Sequence, residues 1–275
     1  MTVIEQYRST LFAVAYKMTK NAMDAEDILQ EVFLAYSRQD TAAIRHPENY
    51  LVKAVMHRCF SLLEARKKTV YPGIDLPSPI FQERFSYIHD QDISFALLIL
   101  LQTLNPSERA VFILRETMSY NYEEIAAILD LAPDHCRQLF HRAKEKIAAG
   151  KIRYTPASER RNALFQAFME ACSGGDAARL MSCLKEDITI YSDGGGKAAA
   201  ARIPLTGRTA ATAFLLGIYT KRDRELRYEV AGINGEPGII CYNAATGAVD
   251  TIMLLSMDGE GIHTVYFVRN PDKLR

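Results

Sequence analysis

The chain is short of the features that would settle a class at once. It has no tryptophan, and its five cysteines (Cys59, Cys136, Cys172, Cys183, Cys241) form no Cys-x-x-Cys pair. An odd, dispersed set argues for reduced, buried thiols in a cytoplasm, against a disulfide framework or a zinc site. The longest apolar run reaches only from Phe95 to Leu101, far below the roughly 20 residues that cross a bilayer. Met1 to Lys20 carries Glu5, Arg8, Lys17 and Lys20 without a small-residue cleavage site, which excludes a secretory signal. Nor is there an excess of either charge: 33 basic residues face 33 acidic ones. A zero total still permits nucleic-acid binding, which needs only a local basic face. What is present is an ordinary globular composition over 275 residues, enough for two or three domains.

The first half has helical texture throughout. Leu11, Val14, Ala15 and Met18 share one face, as do Ile28, Leu29, Val32, Phe33 and Tyr36, then Leu51, Val55, Cys59 and Leu62. Three prolines in Tyr71–Pro79 then forbid a continuous helix and mark a linker. Beyond it, Ile93–Leu104 predicts a buried helix. Asn105-Pro106-Ser107-Glu108 and Asn121-Tyr122-Glu123-Glu124 each place a capping side chain before a further one. A short break at Asp130-Leu131-Ala132 leads into a basic amphipathic helix from Pro133 to about Ile147, the outline of a helix-turn-helix. After Gly150 and Pro156, two helices and a third at Thr209–Leu216 precede strands near residues 227–233, 238–242, 248–257 and 262–269. Their turn pairs include Asn234-Gly235 and Asp258-Gly259. Helices followed by an antiparallel meander make an α+β domain.

The helix after Pro133 carries the most chemistry. Cys136, Leu139, Phe140, Ala143 and Ile147 form its apolar stripe, leaving Arg137, Gln138, His141, Arg142 and Lys144 outside. Between Asp134 and Arg153 stand six Lys/Arg and two acids. Arginine can read guanine edges, glutamine suits adenine, and lysine neutralises phosphate; a solvated basic face on a helical hairpin is the alternative. Ala132 offers no capping oxygen, so Pro133 and Asp134 must start that helix. In the amino-terminal segment Asp24, Glu26, Asp27, Gln30 and Glu31 flank Phe33, an acidic face able to dock on a basic partner or simply to face water. Arg58, Arg66, Lys67 and Lys68 could follow a phosphate backbone or form a solvated helix end.

These segments resemble a known family. Ala25–Phe33 resembles the polymerase-binding helix of extracytoplasmic-function sigma factors, and Leu104–Phe112, Tyr122–Ala126 and Cys136–Leu139 are similar to their fourth-region helix-turn-helix. The proline-rich linker, an Asp-Gly-Gly-Gly-Lys loop (Asp193, Gly194, Gly195, Gly196, Lys197) and a tail (Asn270, Pro271, Asp272, Lys273, Leu274) resemble the subgroup with a carboxy-terminal SnoaL-like domain. The resemblance implies two all-α sigma domains, the second with a helix-turn-helix, then an α+β domain of the SnoaL-like (cystatin/NTF2-like) fold. Boundaries fall at 1–70, 71–92, 93–153 and 154–275.

It further implies that Asp27, Gln30, Glu31 and Phe33 bind RNA polymerase core. The first domain would help open the minus-ten element, while Arg137, Gln138, His141 and Arg142, with Lys144, face the minus-thirty-five element. The loop and tail would regulate the factor in cis, a job given elsewhere to a separate anti-sigma protein. No cofactor, metal, catalytic residue or membrane is implied; a small-molecule ligand in the last domain stays open. Three positions depart from the family pattern: Tyr50 where tryptophan is frequent, Asp130 at a turn glycine, and Ser78 where the linker often has glutamate.

The rival reading is a SnoaL-like enzyme or sensor fused to a helix-turn-helix. Asp193 and His263 are its obvious acid/base candidates, although His263 could face solvent. Lys197 is followed by Ala198, so the glycine loop is not a phosphate loop. By composition the charged tail should be a free end unless something ties it down.

Overall fold

The computed structural model describes residues 3–66, 73–81, 85, 87–88, 93–149, 158–222 and 226–274. The chain divides into two compact units, Met1–Val70 with Glu83–Lys151, and Tyr71–Gln82 with Ile152–Arg275. The stretch read as a single connector, 71–92, is therefore shared between them.

The first unit is helical: α1 (Val3–Thr19), α2 (Ala22–Ser37), α3 (Pro47–Arg66), α4 (Phe95–Leu101), α5 (Pro106–Glu116), α6 (Tyr122–Leu129) and α7 (Pro133–Ala149). Residues Leu11 to Thr19 of α1 are all buried, wrapped by α2, α3 and α5. Phe12 also meets the rings of Phe85 and Tyr87, at 5.1 and 5.7 Å, so part of the sequence-predicted linker is core here. The helix predicted over Ile93–Leu104 is shorter, starting behind Ser94, whose hydroxyl accepts the Leu97 amide. Both asparagine caps form full capping boxes. Asn105 Oδ1 accepts the Glu108 amide at 2.9 Å while Glu108 accepts the Asn105 amide at 3.0 Å; Asn121 and Glu124 do the same.

Glu108 has a second task. Its buried carboxylate takes two bonds from Lys146 at 2.7 and 2.9 Å, pinning α7 to the start of α5. Burial by itself would raise this carboxyl, but Lys146 and the Asn105 amide outweigh it and hold it below its ordinary 4.5. With a depressed folded value, the stabilisation is complete above pH 4.5 and is lost as pH falls through the lower folded value. Glu108→Gln should cost the helical unit roughly 1–2 kcal/mol at neutral pH, read as a lower urea midpoint. It should also flatten the acid limb of stability against pH. An unchanged acid limb would contradict this assignment.

The second unit holds α8 (Ser158–Gly174), α9 (Ala177–Cys183) and α10 (Arg208–Arg222) against a six-stranded sheet. Its strands are β1 (Leu184–Asp193), β2 (Leu205–Thr206), β3 (Leu226–Ile233), β4 (Glu236–Asn243), β5 (Val249–Asp258) and β6 (Gly261–Val268), in the order β2-β1-β6-β5-β4-β3. The expected meander holds from β3 to β6, but β1 lies parallel to β6, with Asp193 opposite Val268. That pairing joins segments about 75 residues apart, which neither periodicity nor turn chemistry can announce. Asn234 and Gly235 both take positive φ, 52° and 78°, forming the tight β3–β4 hairpin. At Asp258 the two-residue turn is Gly259-Glu260, one position later than its glycine pair suggested. Phe165, Phe168 and Leu215 from the helices meet Ile188, Val265 and Phe267 from the sheet in the core.

Candidate nucleic-acid interface and linker latch

The turn between α6 and α7 is made by Asp130, left-handed at φ 55°, ψ 47°. Aspartate tolerates that conformation better than most residues, so the missing turn glycine is accommodated. The side chain is used too: it accepts Lys53 and lies 3.3 Å from His57 Nε2, both on α3. The bond from Lys53 holds the Asp130 carboxyl below its usual range.

On α7, Cys136, Leu139 and Ala143 are buried, while Arg137, Gln138, His141, Arg142 and Lys144 are all exposed. Arg137 bonds Asp134 and lies 3.3 Å from Glu123, its guanidinium 5.3 Å from the Tyr122 ring. His141 and Lys144 reach Glu145 and Glu116 only at 3.5 and 3.9 Å. The outer face is thus basic and hydrated, with Arg137 oriented in advance. Ala132 offers α7 no capping side chain; its backbone carbonyl accepts the Cys136 amide at 3.1 Å.

On α2, Asp27, Gln30 and Glu31 are exposed and Phe33 is half-buried. Leu34 beside them is 53% exposed, a large apolar side chain that periodicity alone leaves unexplained. Arg58 lies 3.5 Å from Glu31, and Arg66 grips Asp24 with both nitrogens. Arg66, predicted to follow phosphate, is here a brace between α3 and α2. Lys67 and Lys68 lie outside the described residues.

In the second unit the glycine loop, the tail and the linker meet. Asp193 is fully buried at the end of β1 and accepts the Leu76 amide at 3.0 Å, the Gly195 amide at 2.8 Å and Lys273 at 2.6 Å. Lys273 also bonds Asp75 and the Leu76 carbonyl. Lys197 pairs with Asp272 across the same loop. Asn270 caps the short 3₁₀ turn Pro271–Lys273 through the Asp272 amide at 3.1 Å, and Leu274 follows it. The glycines are needed: a Cβ on Gly194 would stand 2.1 Å from the Ala198 carbonyl oxygen, and one on Gly195, at φ +59°, 2.3 Å from the Asn270 side chain. Residues Leu76 to Ile80 are all buried, Ser78 included. Ile80 and Asn234 exchange two bonds at 2.9 and 3.0 Å, and Phe81 bridges to Ile233. The tail is tied down. Asp75, Leu76 and Asn234, which sequence reasoning did not single out, complete the clamp.

The acid/base pair of the rival reading does not assemble. Asp193 faces Val268 on β6, and His263 lies five residues back along that strand, roughly 17 Å away. His263 instead contacts the neighbouring Thr264 hydroxyl at 3.1 Å. Among the described residues no group of His, Cys, Asp and Glu could hold a metal ion, and no helix is long and apolar enough to cross a membrane. All five cysteines are free and buried.

Comparison with known proteins bears on the same segments. The Sigma-70 region 2 family matches residues 3–69, and the Sigma-70, region 4 family matches residues 94–147. The ECF RNA polymerase sigma factor SigJ of Mycobacterium tuberculosis is 28% identical over 288 residues, covering 98% of this chain and 91% of that protein. The crystal structure of SigJ superposes with a TM-score of 0.79 at 26% identity, over 98% of this chain and 96% of that one. The chain carries both Sigma-70 regions and is similar over nearly its whole length to an extracytoplasmic-function sigma factor. The sigma factor SigI of the same organism is also similar, 29% identical over 188 residues, 65% of this chain and 64% of its own. Helices α1–α3 are region 2 and α4–α7 are region 4 with its helix-turn-helix, while the α+β unit lies outside both matched regions. As a sigma factor it directs RNA polymerase core to promoters.

Proposed function

We propose that this sigma factor is regulated in cis by a latch, in which the SnoaL-like domain holds the region 2–region 4 linker until the transcription complex claims it. The observation that carries this reading is the buried Asp193–Lys273 pair, which takes the backbone of Leu76 from both sides. A clamped linker has its amides and apolar side chains occupied and cannot offer them to another surface. The free factor must also open within its helical unit. Arg109 on α5 bonds the Met18 carbonyl of α1, and Tyr120 bonds Asn49 of α3. Elements named for positions minus ten and minus thirty-five lie roughly 85 Å apart on duplex, at about 3.4 Å per base pair. The 17 residues of α1 span only about 25 Å, so packed regions cannot reach both elements.

In this reading Asp27, Gln30, Glu31 and Phe33 meet the polymerase, and exposed Leu34 adds apolar contact beside them. Arg137, Gln138, His141 and Arg142 face the minus-thirty-five element, and Lys144 and Arg58 meet phosphates. The factor works in the cytoplasm, by recruitment and without covalent chemistry of its own. Promoter affinity of the holoenzyme should fall steeply with salt. Lys144→Ala should lower the slope of log K against log salt by about 1 at every sequence, while Gln138→Ala should cost roughly 1–3 kcal/mol only at its cognate base. Gel-shift titrations from low to high salt make the distinction; equal behaviour of the two variants would remove these roles. Run-off transcription with core polymerase, comparing the full chain with one ending at Arg269, tests the latch. Equal output from the two forms would refute it.

A further inference from the structure

The SnoaL-like domain encloses a cavity of about 440 Å³, within the roughly 300–1,000 Å³ typical of small-molecule sites. Its wall is mainly apolar, with Phe214, Leu226, Met253 and Phe267 prominent, and Ser192 and Arg269 among its few polar lining groups. Among the described residues that line it there is no carboxylate and no imidazole. The chemistry suits binding an uncharged molecule and offers no conventional acid/base pair to turn one over.

The position of the cavity matters more than its size. Ser192 precedes Asp193, the centre of the latch. Ala199, Ala200 and Ala201 line the cavity and follow Lys197, which pairs with Asp272 of the tail. Arg269 precedes Asn270; its backbone amide bonds the Asp193 carbonyl at 2.7 Å, and its guanidinium bonds the Ala199 carbonyl and Thr251 Oγ1. Asp250 lies against the same guanidinium at 3.3 Å and balances its charge. Three partners for a five-donor fork leave N–H capacity for a neutral acceptor. The end of β1 and the tail thus turn one side to the linker, the glycine loop turns one side to the tail, and all three reach the cavity within a few residues.

We infer that this cavity is the effector site of the latch, taking an uncharged, mainly apolar ring molecule that presents a carbonyl or hydroxyl oxygen to Arg269, and that its occupant favours the clamped linker. The inference rests on the latch reading above. A ligand touching Arg269 and the 199–201 loop finds them assembled only while loop and tail are folded together, so it binds the latched form more tightly. Linkage then requires that whatever opens the latch weakens the ligand by the same factor.

Prodan, a neutral naphthalene ketone whose emission shifts to the blue in apolar surroundings, serves as probe. The full chain should bind one prodan with blue-shifted emission, and Ala201→Trp, which fills the cavity, should weaken it by about tenfold or more. Lys273→Ala leaves the cavity wall untouched yet should weaken prodan about fivefold or more, while saturating prodan should slow amide exchange at Leu76 and Ile80 in the parent chain. If Ala201→Trp fails to fold, Lys273→Ala carries the test, since it alters only the tail. No blue-shifted, saturable binding overturns the site. Faster exchange at Leu76 and Ile80 in Lys273→Ala with unchanged prodan affinity overturns the coupling while the latch stands. Unchanged exchange in that variant overturns the latch and the inference with it.

Discussion

Replacing Lys273 by alanine should raise promoter-dependent transcription by this factor about tenfold at limiting core polymerase. The lysine side chain is 9% exposed and the Asp193 carboxylate against it is fully buried. Removing one partner of such a pair costs roughly 3–5 kcal/mol, because the remaining charge stays desolvated and unpaired. In an ordinary core that penalty would fall on folding. Here the chain has a cheaper response: the linker lifts and water reaches Asp193. The penalty then tips the balance between clamped and released linker, and even 1.4 kcal/mol of it is a factor of ten in that equilibrium. Gly195→Val should act the same way by driving a side chain into Asn270, from a backbone at φ +59° that valine resists. His263→Ala, remote from the latch, should leave transcription unchanged. Run-off assays on these variants, with melting curves to show the domain folded, check the set; if Lys273→Ala and Gly195→Val both match the parent chain, the clamp does not control output.

Arg109→Met should be the most destabilising single substitution in the helical unit, by roughly 3–6 kcal/mol out of the 5–15 that holds a typical domain together. The side chain is buried, and it donates to three carbonyls: Met18 at 2.7 Å, Leu101 at 2.9 Å and Leu104 at 3.1 Å. The first belongs to the last turn of α1 and the second closes α4, so one cation satisfies acceptors at two helix ends where partial negative charge collects. Burial presses the guanidinium down to about 10, which still leaves it charged at neutral pH. Methionine fills much of the volume but leaves all three acceptors without their donor. Urea denaturation followed by circular dichroism should show the midpoint collapse, and Arg109→Lys should recover only part of the loss, having no planar fork. A midpoint within 1 kcal/mol of the parent would mean that water replaces the guanidinium.

Much of this molecule is legible in its sequence because the relevant physics is local. Asn105 with Glu108 and Asn121 with Glu124 announce capping boxes within four residues, and both form. The stripe of Cys136, Leu139 and Ala143 predicts which side of α7 is buried and hence which side faces out. Asp130 at a turn position can be read as left-handed backbone. Its pairing with Lys53 and His57 cannot, since those residues come from a helix more than 70 positions earlier.

The clamp is illegible for the same reason. Leu76 to Ile80 look like a stiff connector between domains, and three prolines support that; only the fold shows β1 and the β3–β4 hairpin converging on them. A tail rich in charge reads as a free end. It is bound because Asp193, buried without the option of facing water, needs a cation, and Lys273 supplies it. The parallel pairing of β1 with β6 makes this possible by delivering the start of the glycine loop and the start of the tail to one edge.

Amide hydrogen exchange at Leu76 and Ile80, measured in the free factor and again in the holoenzyme, tests the central claim most directly. Both amides donate to buried side-chain oxygens in the clamped form, Leu76 to Asp193 and Ile80 to Asn234. They should be protected in the free chain, exposed by Lys273→Ala, and released from Asp193 and Asn234 when core polymerase binds. Exchange at the 234–235 hairpin should then quicken alongside, because Asn234 loses its partner. If these amides exchange freely in the isolated factor, or if the hairpin and linker stay equally protected after core polymerase has bound, the linker is not held for release and the account fails.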